Sequence, residues 1–270
     1  MMNTSLVSII TPVFNGESTI QDCISSVMNQ TYGNFEHLII DDGSSDGTSS
    51  ILDSYNDPRI RVFRQENMGV SHARNIGLKN MKGNYFCFLD ADDTFFERSI
   101  EIRLEKFMSN PQLEFVDGVV QNFKRGVLKS EYHPKFRGTP TKELALLNDS
   151  CFFGITWMIK RQAHKEYKFD TKMSHGEDLL FYLELCSSQS LYDYVDKPIY
   201  RRNLEENSAM SNIEALEMGY NQLLSRQILL DQLTTSELTH TKKKVRKIIF
   251  KSYLSQGKIL EALRTYFSKN

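Results

Sequence analysis

The chain has 270 residues, 40% of them hydrophobic and 25% charged, with a formal net charge of −1, so it suits one sizeable α/β domain with an extension or two small domains. Near-neutral charge gives no general case for a nucleic-acid partner, and four scattered cysteines without a Cys-x-x-Cys pair exclude the usual zinc and redox motifs. With neither a basic leader nor an apolar run of about 18 residues, we expect a cytoplasmic protein.

In the first 110 residues, short β-type runs alternate with helical patterns. The predicted elements, in order, are strand Leu6 to Thr11, helix Thr19 to Asn29, strand Phe35 to Ile40, a helix that ends near Tyr55, strand Ile60 to Phe63, helix Val70 to Met81, strand Tyr85 to Leu89 and a helix that reaches Met108. Capping-box spacing at Ser18 and Gln21, and again at Thr94 and Glu97, predicts where the first and last helices begin. This βαβα alternation predicts an α/β fold with a mostly parallel sheet, whose ligands bind at the carboxyl ends of the strands.

The second half has a more mixed pattern. It predicts a strand over Phe115 to Phe123, a short helix near Lys142 to Leu147, a strand over Phe152 to Ile159, a helix from Glu177 and short strands within Leu191 to Tyr200. From about Asn212 the pattern is helical to the end.

Four stretches resemble glycosyltransferase family 2. They are Val7-Ser-Ile-Ile-Thr-Pro-Val-Phe-Asn15, Asp41-Asp-Gly-Ser-Ser-Asp-Gly-Thr48, Asn67-Met-Gly-Val-Ser-His-Ala-Arg-Asn-Ile-Gly-Leu78 and Phe88-Leu-Asp-Ala-Asp-Asp93, with a weaker fifth match at Gly176-Glu-Asp-Leu-Leu-Phe181. The resemblance is dense to residue 100, thin to about 205 and absent afterwards. It implies a GT-A domain over 1–205, with a Rossmann-like nucleotide-sugar half at 1–110 and an acceptor-side half at 111–205, and leaves 206–270 as a helical extension.

The resemblance also implies an activity. The family's enzymes are inverting and metal-dependent, and we expect transfer of a hexose-type sugar from a UDP-sugar to a hydroxyl of a saccharide or lipid-linked saccharide, in cell-surface polysaccharide synthesis. Two alternatives come from other functional classes. A sugar-phosphate nucleotidyltransferase needs a Gly-rich, basic loop after the first strand, where this chain has the acidic Glu17. A non-catalytic nucleotide-sugar-binding module is disfavoured by the intact acidic motifs.

The acidic motif at the end of the fourth predicted strand suggests a divalent cation. Hard cations bind carboxylate oxygens and neutralise a diphosphate leaving group, and the two aspartates of Asp90-Ala-Asp project from one tight turn. The resemblance implies that Asp92 binds Mn2+ or Mg2+ and that Asp90 contacts the ribose or the same metal. Ala91 would be a further donor-binding residue, and Asp93 would lie nearer the donor sugar. The alternative is a helix N-cap at Asp92 or Asp93.

A second acidic pair follows the second predicted strand. An aspartate at a strand end can accept a hydrogen bond from the N–H of a uracil ring, and the resemblance assigns this role to Asp42. It also implies that Pro12 and Phe14 line the base, that Glu17 lies near the ribose and that Asn15 is a further donor-binding residue. The alternative is a simple Asx-type turn at Asp41-Asp42-Gly43.

A third group lies around the predicted helix at Val70. The resemblance implies that Asn67 and Arg74 contact the nucleotide, since arginine suits phosphate groups and the oxygen-rich edge of a base. A surface salt bridge of Arg74 is the alternative.

The general base is expected at the start of a later helix. Inverting transfer needs a carboxylate that deprotonates the acceptor hydroxyl. The resemblance implies that Asp178 is this base and that Glu177 supports it, whereas the alternative is two acids that stabilise a helix N-terminus.

The chain departs from the family at Tyr200-Arg201-Arg202-Asn203. Many relatives have a histidine soon after such a Tyr-Arg pair, where it completes the metal site. With Asn203 in its place, either water or another group such as His175 would complete the site. Arg201 or Arg202 could steady the leaving diphosphate or be a solvated charge.

Two further features leave alternatives open. Trp157 could stack on an acceptor sugar or lie in the core. A basic helix with cations between Lys242 and Lys251 could bind the inner face of the cell membrane as a peripheral contact, or could be a packed helix with a solvated basic face.

Overall fold

The structure, a computed structural model, describes residues 4–151, 154–173, 175–204 and 212–267. The strands are β1 (Val7–Val13), β2 (Phe35–Asp41), β3 (Ile60–Arg64), β4 (Tyr85–Phe88), β5 (Thr94–Phe95), β6 (Phe115–Lys124), β7 (Val127–Tyr132), β8 (Met158–Lys160) and β9 (Tyr192–Asn203). The helices are α1 (Ile20–Met28), α2 (Thr48–Asp53), α3 (Val70–Asn80), α4 (Ser99–Ser109), α5 (Thr141–Ala145), α6 (Glu177–Leu185), α7 (Ile213–Leu224), α8 (Gln227–Leu230), α9 (Thr235–Ser255) and α10 (Ile259–Phe267).

The described strands form one sheet in the order β3-β2-β1-β4-β8-β6-β9-β5, with β7 paired to β6. The predicted parallel arrangement holds for the first half, where β1 pairs in parallel with β2 and β4, and β2 with β3. Every residue of β1 and β2 is buried, as expected of parallel strands that are covered on both faces. The second half of the sheet is mixed, because β8 runs antiparallel to both β4 and β6 while β9 runs parallel to β6.

Both predicted capping boxes are wrong. Helix α1 has Thr19 at its N-cap with no side-chain cap, and its first turn begins on the carbonyl oxygen of Gly16 instead. Thr94 belongs to β5, where it pairs with Arg201 of β9, and α4 begins only at Ser99. The pairing with β9 prevails over the local capping pattern because it buries Phe95 against Tyr200, with ring centroids 5.8 Å apart.

The later strands also differ from the sequence expectations. The strand expected over Phe152 to Ile159 is reduced to β8, and residues 152 and 153 lie outside the described part of the chain. The short strands expected within Leu191 to Tyr200 form the single twelve-residue strand β9. Helix α6 begins at Glu177 as predicted, and the helical pattern after Asn212 is confirmed.

The C-terminal helices pack onto the α/β part of the protein. Apolar residues of α7 to α10 join one buried cluster with residues of β4, β6 and α6, and Val245, Ile249 and Tyr253 of α9 all face inward. The apolar side of α9 is therefore used for packing, which favours the packed-helix alternative for this segment. None of the described helices combines the length and apolar composition that crossing a bilayer requires.

Candidate functional site

A cavity of about 490 Å³ lies at the carboxyl ends of three neighbouring parallel strands. Its lining comes from the end of β1, from the loops that follow β1, β2 and β4, and from the start of α3. The lining residues are Pro12, Val13, Phe14, Asn15, Gly16, Ser18, Thr19, Asp42, Val70, Asp90, Ala91 and Asp92. This is the edge of the sheet at which the sequence predicted a ligand site, and it brings together most of the predicted donor-binding residues.

The two aspartates after β2 have different roles in the structure. Asp41 forms the expected turn: one oxygen accepts the backbone N–H of Ser44 at 2.9 Å and the other the hydroxyl of Ser49 at 2.7 Å. Burial raises the pKa of Asp41, but these hydrogen bonds outweigh it and hold the pKa below its usual value. Asp42 lines the cavity instead. Asp41 therefore forms the turn, and Asp42 forms part of the cavity wall.

Asp42 is held firmly at the cavity wall. Its Oδ1 accepts the backbone N–H of Met68 at 2.8 Å and the side-chain amide of Gln65, and its Oδ2 accepts the N–H of Gly69 at 2.8 Å. A carboxylate oxygen can accept two hydrogen bonds, so Oδ2 retains acceptor capacity toward a ligand. Gly43 lets this turn pack closely on the neighbouring loop, because a Cβ there would lie 2.8 Å from the backbone nitrogen of Asn67.

The loop after β1 is fastened to the loop after β2. The side-chain oxygen of Asn15 accepts the N–H of Ser45 at 2.8 Å, and Glu17 accepts the N–H of Gly47 at 3.0 Å. Phe14 is about half exposed at the cavity mouth. Pro12, Phe14 and Asn15 therefore line the cavity, whereas the Glu17 carboxylate is engaged at the start of α2 and Glu17 is not part of the cavity lining.

The three carboxylates of the acidic loop after β4 have different surroundings. Asp90 and Asp92 line the cavity. Asp93 is buried, and its Oδ1 accepts the N–H of Asn203 at 2.8 Å. Burial raises the pKa of Asp93 well above its ordinary value, and the nearby charges of Asp92 and Asp90 add to the rise. Asp93 is therefore not among the residues that line the cavity, and its place near the donor sugar stays a prediction.

β9 supports the acidic loop from behind. Besides its bond to Asp93, Asn203 donates a side-chain hydrogen bond of 2.6 Å to the carbonyl oxygen of Asp92, and the Tyr200 hydroxyl accepts the N–H of Asp90 at 3.1 Å. The N-cap alternative for Asp92 and Asp93 is wrong, since α4 begins six residues after Asp93, with Arg98 at its N-cap. The asparagine found in place of the family's histidine thus holds the loop that carries the carboxylates.

Arg74 meets the two acidic motifs. Its Nη1 lies 2.7 Å from Asp178 Oδ1 and 3.5 Å from Glu177 Oε1, and its Nη2 lies 3.0 Å from Asp90 Oδ1. The side chain is only 4% exposed. Burial lowers the pKa of a guanidinium, but the three carboxylates more than reverse this and raise the pKa of Arg74. The alternative of a surface salt bridge is therefore wrong, and Arg74 is also not among the residues that line the cavity.

Glu177 and Asp178 occupy the first turn of α6, after Gly176 in the left-handed conformation. Burial raises the pKa of Asp178 to about 7, against the opposing charges of Arg74 and Arg202. Burial also raises the pKa of Glu177, and Arg74 again opposes the rise. A carboxylate of this kind can accept a proton near neutral pH, which is what general-base chemistry requires.

Three further predicted residues lie away from the cavity lining. Asn67 is exposed on the loop beside Asp42. The guanidinium of Arg201 lies over the ring of Phe123, 4.0 Å from its centroid. The charge of the next residue, Arg202, reaches Asp178. Trp157 is fully buried and stacked on Tyr182 with centroids 4.0 Å apart, so the core alternative is the correct one.

The donor set at the cavity rim is compatible with a divalent cation. Among the described residues, no group of three or more His, Cys, Asp or Glu side chains forms a preassembled metal site. His175, the other group suggested for the metal site, has its backbone and Cβ against Gly219 of α7. Magnesium-type cations commonly use one or two carboxylates together with water and substrate phosphates, and Asp92 and Asp90 fit that requirement.

Sequence reasoning missed several supporting residues. Ser18, Thr19 and Val70 line the cavity, Gln65 fixes Asp42, and Tyr200 fixes Asp90. Val70 belongs to the stretch Asn67 to Leu78 and Tyr200 to the stretch Tyr200 to Asn203, so both could have been included on that ground. Gln65 carried no signal, because its role depends on a contact between separate loops.

Comparison with known proteins gives a consistent picture. The family model described as "Glycosyl transferase family 2" matches residues 8–168. An uncharacterized glycosyltransferase of Rickettsia felis is 35% identical over 71% of this chain and 32% of its own length. The chain therefore spans about a third of the length of this relative.

Two further proteins are informative. The Escherichia coli enzyme WfgD, named UDP-Glc:α-D-GlcNAc-diphosphoundecaprenol β-1,3-glucosyltransferase, is 30% identical over 70% of this chain and 73% of its own. The solved structure of the Pyrobaculum calidifontis mannosyltransferase PcManGT with GDP-Man and Mn2+ superposes with a TM-score of 0.65 at 15% identity, over 99% of this chain and 77% of that one. The latter shows that the fold is the GT-A fold.

Proposed function

The chain belongs to glycosyltransferase family 2, and from this membership we propose that it is an inverting transferase that moves a hexose-type sugar from a UDP-sugar to a hydroxyl of a saccharide or lipid-linked saccharide. The catalytic unit would be residues 1–205, with 206–270 as a packed helical extension. Cell-surface polysaccharide synthesis is the process that suits such an acceptor.

The proposal rests on one arrangement. Carboxylates suited to recognising the base, to binding a cation and to taking a proton lie near one another at one edge of the sheet. Asp42 lies in the wall where a uracil N–H can be bound, Asp90 and Asp92 lie at the rim, and Asp178 lies beyond Asp90 across Arg74. A nucleoside diphosphate bound in the cavity would therefore have acids on its phosphate side and a base candidate on the far side of the sugar. In-line displacement needs that order of groups.

The choice of donor rests on Asp42. Its Oδ2 can accept the ring N–H of uracil, with Pro12 and Phe14 as apolar neighbours of the base. The name of WfgD includes a UDP-sugar donor and a diphosphate-linked lipid acceptor, and both support the same classes here.

The cation would be held by Asp92 and Asp90, as Mn2+ or Mg2+. When bound, it would neutralise the diphosphate and so help the nucleotide to leave. The protein's own part is to present these carboxylates on a loop that Asn203 and Tyr200 hold in place. The Mn2+ complex of PcManGT supports a divalent ion for this fold.

On the acceptor side, Asp178 would take the proton of the attacking hydroxyl. Arg74 pairs with Glu177 as well as with Asp178, so Glu177 would help to balance the positive charge of this guanidinium. Arg201 or Arg202 would contact the leaving diphosphate; the guanidinium of Arg201 lies over the ring of Phe123, and the charge of Arg202 reaches Asp178.

Peripheral membrane contact is a separate part of the proposal. Because the apolar face of α9 is buried, contact would use the exposed basic side, which carries Lys243, Lys247 and Lys251. Charge reversal of these three residues should abolish co-sedimentation with vesicles that contain anionic lipid. Unchanged binding of the variant would reject this contact.

The main test is UDP release from a panel of UDP-sugars, with Mn2+ and a mixture of saccharide acceptors. We expect release with one donor, its loss when the metal is chelated, and a loss of at least about 100-fold in Asp92→Asn. Asp53→Asn, at an exposed carboxylate that pairs with Arg64, is the matched control and should keep activity.

Other outcomes would overturn the proposal. UDP binding without release from any donor would indicate a binding module. Turnover of UTP with a sugar phosphate would indicate a nucleotidyltransferase.

A further inference from the structure

Arg74 connects two acidic motifs that lie far apart in the sequence. It projects from α3, and its two terminal nitrogens bind Asp178 Oδ1 at 2.7 Å and Asp90 Oδ1 at 3.0 Å. Asp90 follows β4 and Asp178 begins α6, so the guanidinium joins the donor side of the site to the acceptor side. A planar group with rigid N–H directions fixes the positions of both partners more closely than a flexible ammonium could.

The surroundings of Arg74 hold the guanidinium in place. It lies over the ring of Phe169, with 5.3 Å between its central carbon and the ring centroid. Phe169 in turn is stacked on Phe181 of α6, with centroids 4.1 Å apart and planes within 3°. The cation therefore rests on an aromatic platform that is part of the acceptor-side half of the chain.

The residue next to Arg74 binds that same platform. The side-chain oxygen of Asn75 accepts the backbone N–H of Phe169 at 2.7 Å, and its amide nitrogen donates to the Phe169 carbonyl at 3.0 Å. Arg74 and Asn75 together thus attach α3 to the segment before α6 and to its first turn. Neither residue lines the cavity, so this part of the motif contacts the later half of the chain.

We propose that Arg74 is a positioning residue for the transfer reaction, which holds the Asp178 carboxylate at a fixed place relative to Asp90. The inference rests on the proposed function, because it takes Asp178 as the base. With the base on one arm of the guanidinium and the donor-side carboxylate on the other, the approach of the acceptor hydroxyl is set relative to the departing diphosphate. Arg74 acts through Asp178 and does not itself touch the sugar.

The competing role is direct contact with the nucleotide. The two roles differ in what a substitution changes. Loss of a nucleotide contact weakens UDP binding, whereas loss of a positioning residue lowers kcat and leaves UDP binding largely intact.

The experiment compares Arg74→Met and Arg74→Lys with the wild type, by calorimetry with UDP in the absence of metal and by the rate of UDP release with Mn2+. We expect kcat to fall on the order of 100-fold in Arg74→Met, with the affinity for UDP without metal changed less than about threefold. Arg74→Lys should recover part of the rate, since an ammonium can still pair with a carboxylate. Arg61→Met removes an arginine that pairs with Glu36 at 2.8 Å, away from the cavity lining, and should leave kcat unchanged.

A double-mutant cycle with Asp178→Asn tests whether Arg74 acts through Asp178. In that background Arg74→Met should lower kcat by less than about threefold, because the group that it positions is already disabled. Asp178→Asn and the double variant also lack the Asp178 charge that Arg74→Met would leave unpaired, so their comparison is informative if the single variant folds poorly.

The outcomes separate the inference from the proposed function. A fall of about tenfold or more in UDP affinity with kcat retained, or full additivity in the cycle, would overturn the positioning role alone. A wild-type protein that binds no UDP and releases none would overturn the proposed function, and the inference with it.

Discussion

The side chain of Asn203 donates a hydrogen bond of 2.6 Å to the carbonyl oxygen of Asp92. The same residue donates its backbone N–H to Asp93 at 2.8 Å. The last residue of β9 thus fixes the loop that carries the candidate metal-binding carboxylates. Groups that orient metal ligands commonly matter almost as much as the ligands themselves.

We therefore expect Asn203→Ala to weaken metal-dependent binding of UDP by about 10-fold or more. The affinity for UDP without metal should change little, because Asn203 does not line the cavity. Calorimetry with and without Mn2+ measures both quantities.

Asn122→Ala is the matched control for this substitution. Asn122 lies on the neighbouring strand β6 and donates to the hydroxyl of Ser130 at 3.1 Å. An Asn203→Ala variant with the same dependence on Mn2+ as the wild type would show that the loop does not need this support.

Asp42→Asn should weaken UDP binding on the order of 10-fold to 100-fold. A neutral amide can still accept the N–H of Met68 or of Gly69, but not both with carboxylate strength. It also offers a donor to the uracil N–H, where an acceptor is required. The measurement is the Kd of UDP compared with that of GDP.

The comparison of the two nucleotides distinguishes recognition from misfolding. We expect the preference for UDP over GDP to shrink in Asp42→Asn, while the thermal unfolding temperature changes by only a few degrees. An equal loss of affinity for both nucleotides would indicate that Asp42 only supports the loop.

Local sequence patterns predicted the parts of the site that depend on neighbouring residues. Asp42 directly follows β2, Asp90 lies two residues after the end of β4, and Glu177 begins a helix, so their positions followed from strand and helix ends. The partners of Arg74 could not be found in this way, because Arg74 and Asp178 lie 104 residues apart. Similarly, the local pattern at Thr94 predicts a helix cap. Thr94 belongs to a strand instead because it pairs with Arg201, which is distant in the sequence.

Asp117 makes a prediction about pH and stability. It is buried in β6, and burial raises its pKa to about 6, although it accepts hydrogen bonds from Thr156 at 2.9 Å and Tyr192 at 3.2 Å. The folded protein therefore holds this proton more tightly than the unfolded chain, whose aspartates have a pKa of about 3.9. The contribution of Asp117 to stability is greatest below about pH 4 and is lost as the pH rises through about 6.

The size of this effect follows from the pKa difference. A difference of about 2 between the pKa values of the folded and unfolded states corresponds to about 3 kcal/mol in the free energy of unfolding. Asp117→Asn cannot ionise, so the unfolding free energy of the wild type minus that of the variant should fall by about 2 kcal/mol between about pH 4.5 and pH 7.5. Urea titrations across this range measure it, and parallel curves for the two proteins would contradict the prediction.

Gly77 makes the last prediction, because it determines how closely α3 packs on the sheet. A Cβ at this position would lie 2.4 Å from Cγ2 of Ile10 in β1 and 3.2 Å from Cδ1 of Ile40 in β2. Both isoleucines are fully buried, so neither can move aside at low cost. Overpacking of this kind typically costs about 1–3 kcal/mol, which exceeds the helix preference of alanine over glycine of up to about 1 kcal/mol.

Gly77→Ala should therefore lower the free energy of unfolding by about 1–2 kcal/mol. Gly33→Ala is the matched control, because a Cβ there meets nothing within 4 Å, and it should be neutral. Since Arg74 lies one helical turn before Gly77, a displaced α3 would also shift the guanidinium from Asp90 and Asp178. We thus expect Gly77→Ala to lower the rate of UDP release as well. A Gly77→Ala variant with wild-type stability and rate would show that α3 can move without disturbing either carboxylate.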